Sequence, residues 1–74
     1  MNIKEYRIKR GYTQEQIAEL LNINQNTYSN KENGKRAFTI EEIRKLKRIL
    51  NTTYDELLNY KVVRGNIWKN ILLH

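Results

Sequence analysis

Apolar side chains recur every three or four residues along this chain, which is the spacing of one face of an α-helix. Residues 2–10 form the first such stretch, and Gly11 follows as a C-terminal stop. The second stretch begins at Thr13, the first residue of a capping box, and ends at Asn22, which tolerates a left-handed backbone. The pattern therefore predicts two helices with a short connection between them.

Three further helices follow from the same signals. Asn24 is a good N-cap for a short helix over residues 25–32. Thr39 starts a second capping box before the fourth helix, and Thr53 is a cap of the same kind before a short fifth helix. The helix after Thr39 is expected to turn these apolar residues inward: Ile40, Ile43, Leu46, Ile49 and Leu50.

The second and third predicted helices have the features of a helix-turn-helix unit, in which a short second helix reads DNA. Such a unit needs a small residue where the helix backbones approach, and Ala18 supplies it. It also needs a residue that accepts positive φ in the turn, which Asn22 supplies. Apolar residues are present where the two helices pack: Ile17, Leu21, Ile23 and Tyr28.

The composition excludes several classes of protein. The chain has 74 residues and no cysteine, which rules out disulfides and thiolate zinc sites, and its single histidine is His74. No run approaches the roughly 18 apolar residues of a membrane span, and charges occupy the N-terminus where a signal peptide needs an apolar run. We therefore expect a small cytoplasmic all-α domain with no metal, no cofactor and no membrane association.

A net charge of +6 suits a polyanionic partner, although charge alone is a weak signal. The basic residues are spread evenly over both halves of the chain, so charge does not locate a binding site. The fourth predicted helix has a basic face, which we interpret as a solvated surface with general electrostatic attraction. This face consists of Arg44, Lys45, Lys47 and Arg48.

Several motifs resemble those of a known family. Thr-Gln-Glu-x-Ile-Ala at residues 13–18 is followed by Glu-Asn-Gly-Lys at residues 32–35, and Tyr-Asp-Glu-Leu-Leu stands at residues 54–58. Over residues 3 to about 58 the chain is similar to the lambda-repressor-like, Cro-type (XRE) helix-turn-helix proteins. The resemblance implies a five-helix bundle that places its third helix in the major groove of double-stranded DNA.

The resemblance also implies which side chains read the bases. Gln25, Asn26 and Asn30 would face base edges, and Thr27 and Ser29 would lie nearer the strands. The chemistry agrees, because a carboxamide can donate to and accept from adenine at the same time. The alternative is that ten Asn residues reflect a biased composition. Base reading is favoured because four amides are concentrated on the one short helix that would face DNA: Gln25, Asn26, Asn30 and Asn33.

A second set of residues would contact the DNA backbone and fix the register of the protein without reading sequence. Gln14 would anchor a phosphate at the start of the second helix. Asn33, Lys35 and Arg36 would hold the backbone of the opposite strand.

Two residues behind the reading helix, Arg7 and Glu32, look like the ion pair that orients this helix in the family. The chain also departs from the family pattern. Lys31 stands where an apolar or aromatic residue is common, so we expect the end of the third helix to pack less deeply. Asn22 replaces the usual glycine, and Phe38 stands where a proline often precedes the fourth helix.

The last part of the chain has a different residue pattern. We predict a DNA-binding domain over residues 1–60 and a C-terminal extension over residues 61–74, in which one helical face is apolar. This face could pack on the bundle, contact a second subunit or lie on a membrane, for which it is short. Two half-sites about 34 Å apart favour a homodimer. The candidate contacts are Leu57, Leu58, Ile67, Trp68, Ile71 and Leu72.

Three classes of function remain to be compared. An enzyme is excluded because the chain lacks cysteine, has one terminal histidine and has one serine, so no triad or metal site can be assembled. A sequence-specific transcriptional regulator, acting as a homodimer on an inverted repeat, fits best. The alternative is an antitoxin or controller that also binds a partner protein through its C-terminal surface. No small-molecule ligand is indicated.

Overall fold

The computed structural model describes residues 1–58, which contain five α-helices and no strand. The helices are α1 (Ile3–Lys9), α2 (Gln14–Leu20), α3 (Gln25–Glu32), α4 (Ile40–Ile49) and α5 (Tyr54–Leu58). The prediction of an all-α, five-helix bundle is therefore confirmed for this part of the chain. None of these five helices has the length and apolar character that crossing a membrane requires.

Four helices begin at the side-chain caps that the sequence predicts. The hydroxyl groups of Thr13 and Thr39 each accept the backbone N–H three residues further on, at 3.1 Å. Asn24 Oδ1 accepts the corresponding N–H at 2.7 Å, and Thr53 Oγ1 does so at 3.2 Å. Each cap satisfies an N–H that has no partner within its own helix, so the start of each helix is fixed locally.

Every helix or its C-cap contributes at least one side chain to a single core. The buried apolar residues are Ile3, Ile17, Ala18, Leu21, Tyr28, Leu46, Leu50 and Leu57. The N-terminus is tied to the other end of the domain, because the Asn2 N–H donates to the Leu57 carbonyl at 2.9 Å. A core of this size leaves little margin of stability, since a short chain buries a smaller fraction of its unfolded surface than a long one does.

The expectation that Ile40 points inward is wrong, because its side chain is 76% exposed. Ile40 stands six residues before the fully buried Leu46, and at 100° per residue the two side chains are separated by about 120° around the helix axis. Ile43 lies between these directions and is half-buried.

An open apolar groove of about 370 Å³ runs between α4 and α5. We call it the α4–α5 groove. Its lining residues are Phe38, Ile40, Ile43, Arg44, Tyr54 and Leu58. Tyr54 is 41% exposed, so the groove adds to the apolar surface that Ile40 presents to solvent.

Candidate nucleic-acid interface

The α2–turn–α3 unit has the arrangement that the sequence predicts. Ala18 on α2 and Tyr28 on α3 belong to the same buried cluster, in which Ala18 is 2% exposed. The turn reverses the chain at Asn22, whose φ of 61° lies in the left-handed region. The Ile23 N–H then donates to the Ala18 carbonyl at 3.0 Å. These contacts fix where α3 begins relative to α2.

The α3 helix has one packed face and one amide face. Tyr28 is its buried apolar residue, and the side chain of Glu32 is buried as well. At 100° per residue, Asn26, Asn30 and Asn33 project within about 40° of the direction opposite Tyr28. The structure therefore places three of the predicted DNA-contacting amides on the side of α3 that faces away from the core.

The residues predicted to contact DNA differ in exposure. Gln25 and Asn26 are exposed, whereas Thr27, Ser29 and Asn30 are half-buried. The Asn33 amide donates to the Ser29 hydroxyl at 3.4 Å, a long and therefore weak hydrogen bond. All of these residues lie on α3 or at its C-cap.

The turn after α3 presents two cations next to this amide face. Lys35 and Arg36 are both exposed. Their backbone N–H groups donate to the Asn30 carbonyl at 2.8 and 3.3 Å, so the turn is attached to the end of α3. Gly34, at φ 83°, allows the chain to leave the helix in this direction.

Behind α3, the Glu32 carboxylate accepts four hydrogen bonds. Arg7 Nε and Tyr28 Oη donate to Oε2 at 2.7 and 2.6 Å. Arg7 Nη2 and Gln14 Nε2 donate to Oε1 at 3.2 and 2.9 Å. The Glu32 side chain is fully buried, so this network connects the end of α3 to both α1 and α2.

These hydrogen bonds change the pKa values of the groups in the network. Burial raises the pKa of Glu32, but hydrogen bonds from Arg7, Tyr28 and Gln14 outweigh it and hold the pKa below its usual value. The hydrogen bond to Glu32 raises the pKa of Arg7. Burial, followed by the hydrogen bond to Glu32, raises the pKa of Tyr28. Glu32 is therefore ionised and Arg7 charged at neutral pH.

The structure brings Arg7 and Glu32 together and also shows a contact of Gln14 that the sequence did not suggest. Gln14 was expected to anchor a phosphate, yet one of its amide N–H groups is used by Glu32. An amide carries two N–H donors, so the hydrogen bond to Glu32 occupies one of two. The predicted phosphate contact is compatible with this geometry.

A second ion pair behind α3 was missed. Lys31, expected to leave the end of α3 less deeply packed, is only 10% exposed at its side chain and pairs with Glu42 at 2.7 Å. A local signal existed, because Lys31 is one helical turn after the core residue Tyr28 and so projects from the packed side of α3. Its partner lies 11 residues away, and no sequence pattern identified it.

Among the remaining basic residues, Arg44, Lys45 and Arg48 are exposed on α4, as expected for a solvated face. Lys47 differs, because its ammonium lies 5.1 Å from the centre of the Tyr54 ring. Arg10, on which sequence reasoning placed no contact, donates from Nε to the Leu50 carbonyl at 2.8 Å at the end of α4.

The candidate dimer contacts divide into three groups. Leu57 is fully buried in the core, so its side chain packs within the chain and is not on the surface. Leu58 is half-buried and borders the α4–α5 groove. The other candidates, Ile67, Trp68, Ile71 and Leu72, lie outside the described residues, as does the predicted extension.

Comparison with known proteins agrees with this geometry. The sequence model of the helix-turn-helix family matches residues 3–57. The chain is 43% identical over 56 residues to the HTH-type transcriptional regulator ImmR of Bacillus subtilis (strain 168), an alignment that covers 76% of this chain and 44% of that protein. The chain thus spans less than half the length of this relative. No solved structure gives a significant match.

The family match runs from the start of α1 into α5 and includes the α2–turn–α3 unit and the Glu32 network behind it. It assigns this domain to DNA binding rather than to catalysis. The chain belongs to the XRE-type helix-turn-helix family of DNA-binding proteins.

Proposed function

We propose that this protein is a cytoplasmic transcriptional regulator of the repressor or controller type, which binds an inverted-repeat operator in double-stranded DNA through α3. The amide face of α3 carries this proposal. The face of α3 opposite the core residue Tyr28 holds Asn26, Asn30 and Asn33, and the exposed Gln25 precedes Asn26 at the start of the helix. A surface of neutral amides is poorly suited to nonspecific attraction and well suited to base edges.

In this proposal the side chains have two different roles. Gln25, Asn26 and Asn30 read base edges, with Thr27 and Ser29 beside them. A separate set binds phosphates, namely Gln14, Asn33, Lys35 and Arg36. Because a carboxamide pairs bidentately with adenine, and because no cation lies on the amide face, we expect A·T pairs within the operator.

A homodimer is proposed because one short α3 contacts few base pairs, and a second copy doubles the contacts. The α4–α5 groove supports the proposal, since it exposes apolar side chains beside Leu58. From Leu58 the chain continues to the apolar tail residues Ile67, Trp68, Ile71 and Leu72, which with Leu58 form the proposed contact.

Selection from a random DNA pool by the full chain tests the proposed base reading. We expect an enriched motif with two-fold symmetry. Gln25→Ala with Asn26→Ala should then reduce the preference for the selected duplex over random DNA, by about 1–3 kcal/mol for each amide–adenine pair, and leave most nonspecific affinity. Binding is measured by fluorescence anisotropy at fixed salt.

The matched control is Asn66→Ala with Asn70→Ala. It removes two amides outside residues 3–57, the part that the family matches, and should leave the preference unchanged. Equal affinity of the unmodified protein for the selected and the random duplex would contradict sequence-specific reading.

A further inference from the structure

Lys31 lies on the packed side of α3 and bonds to α4. Its Nζ donates to both oxygens of the Glu42 carboxylate, at 2.7 and 2.8 Å. The Lys31 and Glu42 side chains are only 10% and 11% exposed. Lys31 and Glu32 flank the direction of Tyr28, so α3 is held by one ion pair to α4 and by another to α1.

The Glu42 carboxylate is at the same time part of the start of α4. Its Oε1 accepts the Thr39 N–H at 2.8 Å, and the Glu42 N–H donates to Thr39 Oγ1 at 3.1 Å. The same oxygen therefore binds both Lys31 and the capping residue. The Glu42 carboxylate thus connects α3 to the first turn of α4.

The turn that carries Lys35 and Arg36 runs from the end of α3 to Thr39, the cap of α4. At its start, the backbone of both residues is bonded to the Asn30 carbonyl. At its end, Thr39 is bonded to Glu42, and Glu42 is bonded back to α3 through Lys31. The Lys31–Glu42 pair thus closes the loop whose two cations lie beside the amide face.

We propose that Lys31 and Glu42 are positioning residues, which hold Lys35 and Arg36 in register with the amide face of α3. The inference rests on the proposed DNA-binding function. Operator affinity then depends on Glu42 through geometry, although its charge is of the wrong sign for DNA. Two other roles are possible outcomes of the test: a contribution to stability alone, and a purely electrostatic effect.

Glu42→Gln distinguishes geometry from charge because the two predict opposite signs. Removing a negative charge beside a basic turn should tighten DNA binding if only charge matters. Loss of positioning should instead weaken binding to the selected duplex by about fivefold or more. The dependence of log K on log salt should become shallower by about one, as for a lost phosphate contact. Glutamine can still serve in the capping box.

The matched control is Glu41→Gln, which removes the same charge from an exposed neighbour on the same turn of α4. We expect it to bind the selected duplex as tightly as the unmodified protein, or slightly more tightly. Urea unfolding of each variant shows whether it is folded at the temperature of the binding measurement.

A second variant, Lys31→Ala with Glu42→Gln, keeps the net charge unchanged and leaves no buried unpaired charge. Charge alone predicts unaltered affinity for this variant, whereas loss of positioning predicts the same weakening as Glu42→Gln. If both variants fold and bind the selected duplex like the Glu41→Gln protein, the inference is overturned and the proposed function stands. If the unmodified protein selects no duplex, the proposed function itself fails.

Discussion

Two adjacent threonines before α5 differ in what their hydroxyl groups contact. Thr53 Oγ1 caps α5, and it also lies 3.2 Å from Glu56 Oε1. Thr52 Oγ1 is buried and has no hydrogen-bond partner among the described residues. A buried hydroxyl without a partner destabilises the folded protein, whereas a capping hydroxyl stabilises it.

Replacing each threonine by valine should therefore change stability in opposite directions. Thr52→Val keeps the shape and removes the unpaired hydroxyl, so we expect the free energy of unfolding to rise by about 1 kcal/mol. Thr53→Val removes a cap and should lower it by about 1 kcal/mol. Urea denaturation of the two variants gives both values. A loss of stability in Thr52→Val would show that its hydroxyl has a partner.

The lowered pKa of Glu32 predicts how stability depends on pH. The pKa is lower in the folded than in the unfolded chain, so the contribution of Glu32 is complete above its ordinary value of about 4.5. It is lost as the pH falls through the lowered value. Glu42, whose pKa is also below its usual value, contributes with the same sign. Denaturant unfolding should thus show a less stable protein at about pH 3 than at about pH 6.

NMR titration of the Glu32 carboxyl carbon tests this cause directly. We expect a pKa below 4.5, and Gln14→Ala should raise it because that variant removes one of the four hydrogen bonds. Glu32→Gln should flatten the dependence of stability on pH, at a cost of roughly 3 kcal/mol for leaving Arg7 buried without its partner. A Glu32 pKa above 4.5 would contradict the assignment.

At the scale of helices and turns, we expect the turn between α3 and α4 to contribute equally to the affinity for every DNA sequence. Lys35 and Arg36 are exposed cations on a bonded turn, and phosphates carry no sequence information. Lys35→Ala with Arg36→Ala should weaken binding to selected and random duplexes by similar factors. The slope of log K against log salt should become shallower by about two.

Lys45→Ala with Arg48→Ala is the matched control for that prediction. It removes the same charge from the exposed face of α4, which we interpret as a source of general attraction only. We expect a smaller change of slope than for Lys35 and Arg36. An unchanged slope in the turn variant would exclude those two residues from the phosphate contacts.

The sequence predicted helix boundaries well because the signals are local. The caps at Thr13, Asn24 and Thr39 and the positive φ at Asn22 each depend on residues within four positions. The sequence also placed the amides on one helix, and helical geometry then put Asn26 on the face opposite the core.

Contacts between distant helices were harder to predict. The Lys31–Glu42 pair, the Gln14–Glu32 hydrogen bond and the contact of Arg10 with α4 join residues 11 to 40 positions apart. Long charged side chains can meet many partners, and their spacing along the chain does not say which. The inward direction predicted for Ile40 was wrong for another reason. The prediction used the spacing of apolar residues along the chain and left out the rotation around the helix axis between Ile40 and Leu46.

For the whole molecule, the proposed homodimer makes a prediction about the apolar tail. Trp68→Ala with Ile71→Ala should shift sedimentation toward the monomer and weaken binding to a two-half-site duplex more than to a single half-site. Lys69→Ala, between them, is the control and should leave self-association unchanged. A protein that is monomeric at all concentrations without substitution would contradict the homodimer and favour the alternative role with a partner protein.

The separation of α3 into a packed face and an amide face has a consequence for how such a protein changes over time. Tyr28, Lys31 and Glu32 hold the helix in place, and none of them is among the proposed base readers. Exposed positions such as Gln25 and Asn26 can therefore mutate at little cost in stability. If α3 reads bases as proposed, new operator preferences can arise, or be engineered, by exchanging a few surface amides on an unaltered scaffold.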